Sequence, residues 1–309
     1  MGYPVVQLTK QLAKLAGADA GGYVHCGATT QDILDTATVL QLGQAFALLD
    51  ADLAAAIEAL TQHARRFRDD GMCGRTHLQQ ADRSAFAGAA CALGLTCCSL
   101  AKIATDMVLL MQTEVGEASE PYAPGRGGSS TMPQTRNPIA SEYILATARG
   151  VHALVPLMLQ AMAGDHERSS GPWQSEELAL SQIFVLASAT FAQSLAVARG
   201  ITVDRDRMRR NLELTKGLIV AESAAMALAE KFGHGRAHEI VERGSSIATA
   251  SNISLRDALL RDVEVRSPFD GPALDQLLDP RTYVGESAAV VDRILERARS
   301  AAGVSSAGA

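Results

Sequence analysis

An all-α fold, built as a bundle of long helices with a smaller helical C-terminal domain, is predicted by three features of the sequence. From Thr30 to about Arg68 there is no proline and a single glycine, Gly43, while apolar residues recur at helical spacing at Ile33, Ala37 and Leu40, then Leu53, Ile57 and Leu60. A second run free of proline, from about Asp82 to Glu117, carries Leu93, Leu100, Ile103, Met107, Leu110 and Met111 at three- and four-residue steps. Aromatic residues make up only 4% of the chain although the apolar set reaches 47%, so Ala, Leu, Val and Ile must fill the core, which suits close helix packing.

The first long helix begins at Thr29, with Asp32 three positions on, a capping-box arrangement for the orphan backbone donors of a helix start. At 1.5 Å per residue it spans on the order of 50 Å, longer than a compact globule needs and suited to a shared oligomer core. After the second helix, EASEPYAPGRGGSSTMPQTRNP contains too many prolines and glycines for regular structure and reads as a loop. Pro138 suits the first turn of a third helix through about Met162, and Gln174 to Arg199 supplies a fourth. At Gly200 the pattern changes to shorter, more charged helices over Val203–Phe232, Gly235–Ile247 and Leu255–Leu260. A boundary near residue 201 therefore separates a bundle over 1–200 from a helical domain over 201–309. The final stretch, SAAGVSSAGA, is expected to fray. No internal repeat and no alternating strand pattern is expected.

The 309 residues carry a net charge of -6 without a long basic run, which argues against a nucleic-acid partner. The five cysteines form no CxxC pair, and the adjacent Cys97 and Cys98 would be strained as a mutual disulfide, so a reducing, cytoplasmic compartment is expected. MGYPVVQLTKQLAKLAG lacks the basic and apolar regions of a signal peptide. Lys102, Asp106 and Glu114 are expected to interrupt the apolar stretches before they reach spanning length, so no membrane association is predicted.

The loop GRGGSSTMPQTRNP, Gly125 to Pro138, places two serines behind three glycines and ahead of polar residues able to hold an anion. It resembles the GSSxMPxKxNP signature of the fumarase/aspartase superfamily, matching at Gly128, Ser129, Ser130, Met132, Pro133, Asn137 and Pro138. VHCGATTQD (Val24 to Asp32) and GRTHLQQA (Gly74 to Ala81) resemble the other two substrate-contacting regions of that superfamily. MQTEVGE, HERSSGPWQ and NLELTKGLIVAE resemble its 3-carboxy-cis,cis-muconate cycloisomerase branch.

The resemblance implies chemistry across a carbon–carbon bond next to a carboxylate, which requires a base for a weakly acidic proton and donors for a charged intermediate. By analogy Ser129 is the base, as an oxyanion stabilised by amides that Gly127 and Gly128 allow the chain to present. His77 is the second catalytic candidate, a proton donor or carboxylate holder with Thr76 beside it. Ser130 and Asn137 would donate to substrate carboxylates, with Met132 in the same signature. Thr29, Thr30 and Gln31 would offer donors at a helix start, where anions are favoured. Arg126, Arg136, Arg168, His25 and His77 are the available cationic partners for a polycarboxylate. No metal or organic cofactor is implied. His234 and His238 sit four apart, but no third metal ligand is in view. Relatives form homotetramers in which three subunits contribute to each site, and the same assembly is expected here.

The sequence departs from the family in three respects. Thr135 stands where the signature has lysine, the chain begins near what is usually the end of a small N-terminal domain, and Ala81–Asp82 reads as a junction across a missing segment. Three functions are compatible with these residues: a cycloisomerase closing a lactone on 3-carboxy-cis,cis-muconate, a lyase releasing fumarate from an adenylosuccinate-, nitrosuccinate- or aminosuccinate-type substrate, and a catalytically impaired relative.

Overall fold

The computed structural model describes residues 5–25, 27–67, 81–121, 136–165, 169–266 and 269–305. They are all-α apart from one short strand pair, and they divide into two compact units, Met1–Gly71 with Leu212–Ala309, and Met72–Asn211.

The second unit is built on α3 (Ser84–Leu110), α4 (Ile139–Ala161) and α5 (Pro172–Gly200). Small residues let these helices approach closely. Ala90 and Cys97 of α3, Ala148, Val151 and Met158 of α4, and Ala179, Ile183 and Ala187 of α5 form one buried cluster. Gly150 shows how tight the α4–α5 seam is, because a Cβ there would lie 2.8 Å from Leu186 Cδ1. The polar groups inside the seam are paired: Thr147 and Thr190 share a 2.7 Å hydrogen bond between hydroxyls, and the His152 ring meets the Gly94 carbonyl at 3.1 Å. Burial also pushes the Cys97 thiol up from its ordinary range. A second cluster gathers Ala104, Met107, Ala118, Ala140, Ile144 and Val197 at the other end of the helices.

Here the structure departs from the sequence reading. The second helix stops at Leu110 instead of Glu117. The chain turns, Gly116 takes a φ of 60°, and β1 (Ala118–Ser119) pairs antiparallel with β2 (Thr202–Val203). The cause lies in α6 (Arg205–Glu213), whose Arg207 donates to the carbonyls of Thr113, Glu114 and Val115 while Asn211 Nδ2 reaches Val115 O at 2.9 Å and Glu117 Oε1 at 2.8 Å. These side chains supply donors to carbonyls that the end of a helix leaves without intrahelical partners. The MQTEVGE stretch and Asn211 thus meet in space.

In the first unit, α1 (Val5–Gly21) and α2 (Thr30–Arg66) precede α7 (Ala221–Phe232), α8 (His234–Ser251), α9 (Leu255–Leu259), α10 (Val263–Arg266), α11 (Gly271–Leu277) and α12 (Ser287–Ser305). Leu228, Ile240, Leu255, Leu259, Val265 and Leu274 are fully buried in its core. The single helix expected over Val203–Phe232 is broken, because Lys216 (φ 51°) and Gly217 (φ 88°) adopt the left-handed region before a 3-10 turn at Leu218–Val220. Lys216 is held there by its ammonium, which donates to Asn252 Oδ1 at 2.7 Å, and by its carbonyl, which accepts from Leu255 N at 2.9 Å. The expected fraying of the last stretch is corrected in part, since α12 runs through residue 305; residues 306–309 lie outside the described ones.

The long helix α2 matches the predicted start and length, with the Thr29 amide donating to Asp32 Oδ2 at 2.7 Å. None of its residues is buried, and Leu40, Phe46, Leu49, Leu53, Ile57 and Leu60 are exposed. Helices α2 to α5 are also long and apolar enough, by length and composition, to cross a membrane, so the expectation that charges interrupt the apolar stretches first is not met. In α3, α4 and α5 part of that apolar surface forms the two clusters described above.

Because Ile183 is fully buried between small neighbours that cannot move in to fill a void, Ile183→Ala is expected to lower unfolding free energy by about 2–4 kcal/mol. Urea unfolding followed by circular dichroism measures this, and a change below about 1 kcal/mol would contradict the packing.

Candidate active site

The predicted site residues fall into three groups. His25, Thr29, Thr30 and Gln31 belong to the first unit, and Arg136 and Asn137 to the second. Ser129, Ser130, Met132, Thr76, His77 and Arg168 lie outside the described residues.

Around the start of α2, His25 occupies the turn after α1 with a φ of 69°, a conformation uncommon for a residue with a side chain. Its Nδ1 is buried and has no hydrogen-bond partner among the described residues. The residue lines a cavity of about 570 Å³ together with Lys10, Glu222, His234, His238 and Glu239. Tyr23 packs edge-on against His234, with ring centroids 4.5 Å apart. The pair His234 and His238, noticed in the sequence for its spacing alone, therefore gathers with His25 in one pocket; no metal-binding group of three is found among the described residues. Thr29 serves as the cap of α2, and Gln31 Nε2 donates to Asp35 Oδ2 at 3.3 Å.

Arg136 and Asn137 are exposed and lead directly into α4, where the Ile139 amide donates to the Asn137 carbonyl at 2.9 Å. The cap position of α4 is Pro138, which has no capping side chain. The next orphan donors are taken by a residue from the other side of the signature. Glu120 accepts from the Ala140 amide at 3.0 Å, from the Ser141 amide at 2.7 Å and from the Ser141 hydroxyl at 2.6 Å. Such charge-assisted bonds at the positive end of a helix are among the stronger ones available to a protein.

A second carboxylate anchors the unit near the other motifs. Glu176, in the first turns of α5 and almost fully buried, forms a forked ion pair with Arg83, which sits just before α3; Arg83 Nε lies 2.9 Å from Glu176 Oε2 and 3.1 Å from Oε1. The Arg83 guanidinium also lies over the Phe86 ring, 4.2 Å from its centre. The ion pair raises the proton affinity of the guanidinium further and keeps it charged. It joins the chain just after GRTHLQQA to the chain just after HERSSG. Neither Glu120 nor the Arg83–Glu176 pair was recognised from sequence. The available signal was an acidic residue before the proline of EPYAP and one inside a helix start, and both positions look solvent-facing in one dimension.

Comparison with known proteins places these motifs in context. The chain matches the family described as "Lyase" over residues 5–88 and 81–152, and that described as "Adenylosuccinate lyase C-terminus" over residues 217–294. It is 36% identical to a 3-carboxy-cis,cis-muconate cycloisomerase of Bradyrhizobium diazoefficiens, covering 95% of this chain and 81% of the relative. The chain belongs to the fumarase/aspartase superfamily. A solved structure, the 3-carboxy-cis,cis-muconate lactonizing enzyme from Pseudomonas putida, superposes with a TM-score of 0.65 at 33% identity over 94% of this chain and 82% of that one. A nitrosuccinate lyase of Streptomyces davaonensis is 32% identical over 94% of this chain and 78% of the relative. The present chain's match to the "Lyase" family falls into two stretches meeting at 81–88, and the alignment to the Bradyrhizobium relative runs over 365 positions, more than the chain's 309 residues.

Since Glu176 is nearly inaccessible and forms a forked pair with Arg83, Glu176→Ala is expected to destabilise the protein by about 3 kcal/mol by removing the buried carboxylate of that pair. The double variant Arg83→Met with Glu176→Leu should lose much less. Chemical denaturation of Glu176→Ala, and of the wild type, Arg83→Met, Glu176→Leu and the double variant as a closed cycle, checks both expectations, and additive losses within the cycle would contradict a direct coupling.

Proposed function

We propose that this chain is a 3-carboxy-cis,cis-muconate cycloisomerase-like enzyme, acting in the cytoplasm without a metal or organic cofactor. In the proposed reaction a carboxylate oxygen of the substrate adds across its own carbon–carbon double bond, the neighbouring carbon takes up a proton, and a carboxymuconolactone results. The observation that carries this reading is a GSS–MP–NP signature inside a chain alignable over 95% of its length with a cycloisomerase. Ser129 would act at the reacting carbon, with His77 as the partner that holds or delivers a proton. His25, Thr29, Asn137 and the arginines would neutralise the carboxylates. An elimination giving fumarate is the second reading, favoured by the comparable identity to a nitrosuccinate lyase.

Thr135 in the place of the signature lysine supports a slow enzyme, because a single preorganised donor is worth about 10²–10³ in rate. The two-part family match supports an internal deletion at Ala81–Asp82. The wholly unburied α2, with its apolar residues exposed, supports a homotetramer in which long helices of several copies cover one another and complete shared sites.

Loss of the diene absorbance of 3-carboxymuconate on addition of purified protein tests the first reading, and fumarate release from nitrosuccinate or adenylosuccinate tests the second. Ser129→Ala is expected to abolish whichever activity is found, and Thr135→Lys to raise it by about 10²-fold; turnover indifferent to Ser129 would refute the family mechanism. Light scattering is expected to give four copies, and a stable monomer would contradict shared sites.

A further inference from the structure

We infer that Glu120 is a positioning residue for the segment that carries Ser129. The inference rests on the proposed use of Ser129 in catalysis, and its own support is geometric. Glu120 is the last acidic residue before the signature, while Ala140 and Ser141 are the second and third residues of the helix after it. One carboxylate takes three hydrogen bonds from those two residues, at 3.0, 2.7 and 2.6 Å, across twenty or so positions of sequence. The chain entering the signature and the chain leaving it are thereby fixed to each other.

Three neighbouring features make the clasp rigid on both sides. On the entering side, the backbone just before Glu120 is held by the pairing of Ala118 and Ser119 with Val203 and Thr202. Ala118 is itself buried with Ala140 and Ile144 in one cluster, so the two strands of chain also share a core. On the leaving side, α4 is locked against α3 and α5. No side chain at the cap position competes for the donors, because that residue is Pro138. An oxyanion-type base needs its supporting amides held within a fraction of an ångström, and misplacement by about 1 Å costs on the order of 10²-fold in rate. A carboxylate that ties the two ends of a loop together reduces the conformations open to the chain between them.

The prediction separates positioning from folding through two readouts on the full-length protein. Glu120→Gln keeps the size but leaves a single accepting oxygen, so its N–H₂ must face either the Ala140 or the Ser141 amide. It is expected to lower kcat by about 10-fold or more while KM changes little, as expected for a misaligned base. Trypsin is expected to cut after Arg126 and Arg136, both between the clasped ends, about 10-fold faster than in the wild type, because local opening governs cleavage. Glu120→Asp, which retains the charge, should recover part of both effects. Should Glu120→Gln fail to fold, Ser141→Ala removes only the hydroxyl bond and is expected to accelerate the same cleavages by a few-fold. Unchanged cleavage in the folded variants overturns the inference, even if kcat falls. If the wild type turns over none of the substrates, the proposed function fails, and the proteolysis comparison still decides whether the clasp exists.

Discussion

The structure of the second unit depends on how closely α3, α4 and α5 can approach. Alanine, glycine and cysteine at the contact positions bring backbones near enough for Ile144, Val151, Met158 and Ile183 to reach across and be fully buried. Dispersion contacts and removal of apolar surface from water then operate at interior packing density, with few aromatic rings needed. Such a seam leaves little spare room: a methyl group at Gly150 would meet Leu186 Cδ1 at 2.8 Å, so that side chain would have to shift. Polar groups are admitted only in pairs, as with Thr147 and Thr190, because an unpaired donor or acceptor in this environment loses its water without replacement.

The helices provide a frame, and two glutamates tie the chain segments that flank the sequence motifs to it. Glu120 joins the two sides of the serine-containing signature, and Glu176 with Arg83 joins the chain that follows the Thr-His motif to the start of α5. Both use full or forked carboxylate coordination, which fixes direction as well as distance. Each sits where a glycine- or polar-rich stretch of sequence adjoins a helix.

In the other unit the contrast between α2 and the α7–α11 core is informative. The short helices bury Leu228, Ile240, Leu259 and Leu274 completely within the unit, whereas α2 buries nothing and keeps its leucines exposed. A 37-residue helix with this composition is not stabilised by its own chain in the ordinary way. Covering it with other copies, as the proposed assembly does, would supply the missing burial.

The sequence by itself determined the all-α class, the extents of α2, α4 and α5 to within two or three residues, and the superfamily through Gly128, Ser129, Ser130, Met132, Pro133, Asn137 and Pro138. These are local matters: helical periodicity, proline and glycine punctuation and a contiguous motif are all written within a few residues of one another. Only the tertiary structure decided that α3 stops at Leu110, that Lys216 and Gly217 break the following helix, that His25, His234 and His238 share a pocket, and that Glu120 and Glu176 are anchors. Each of those outcomes is set by a partner far away in the chain. Arg207 and Asn211 take the carbonyls after α3 from some ninety residues downstream, and a carboxylate's partner cannot be read from the residues beside it.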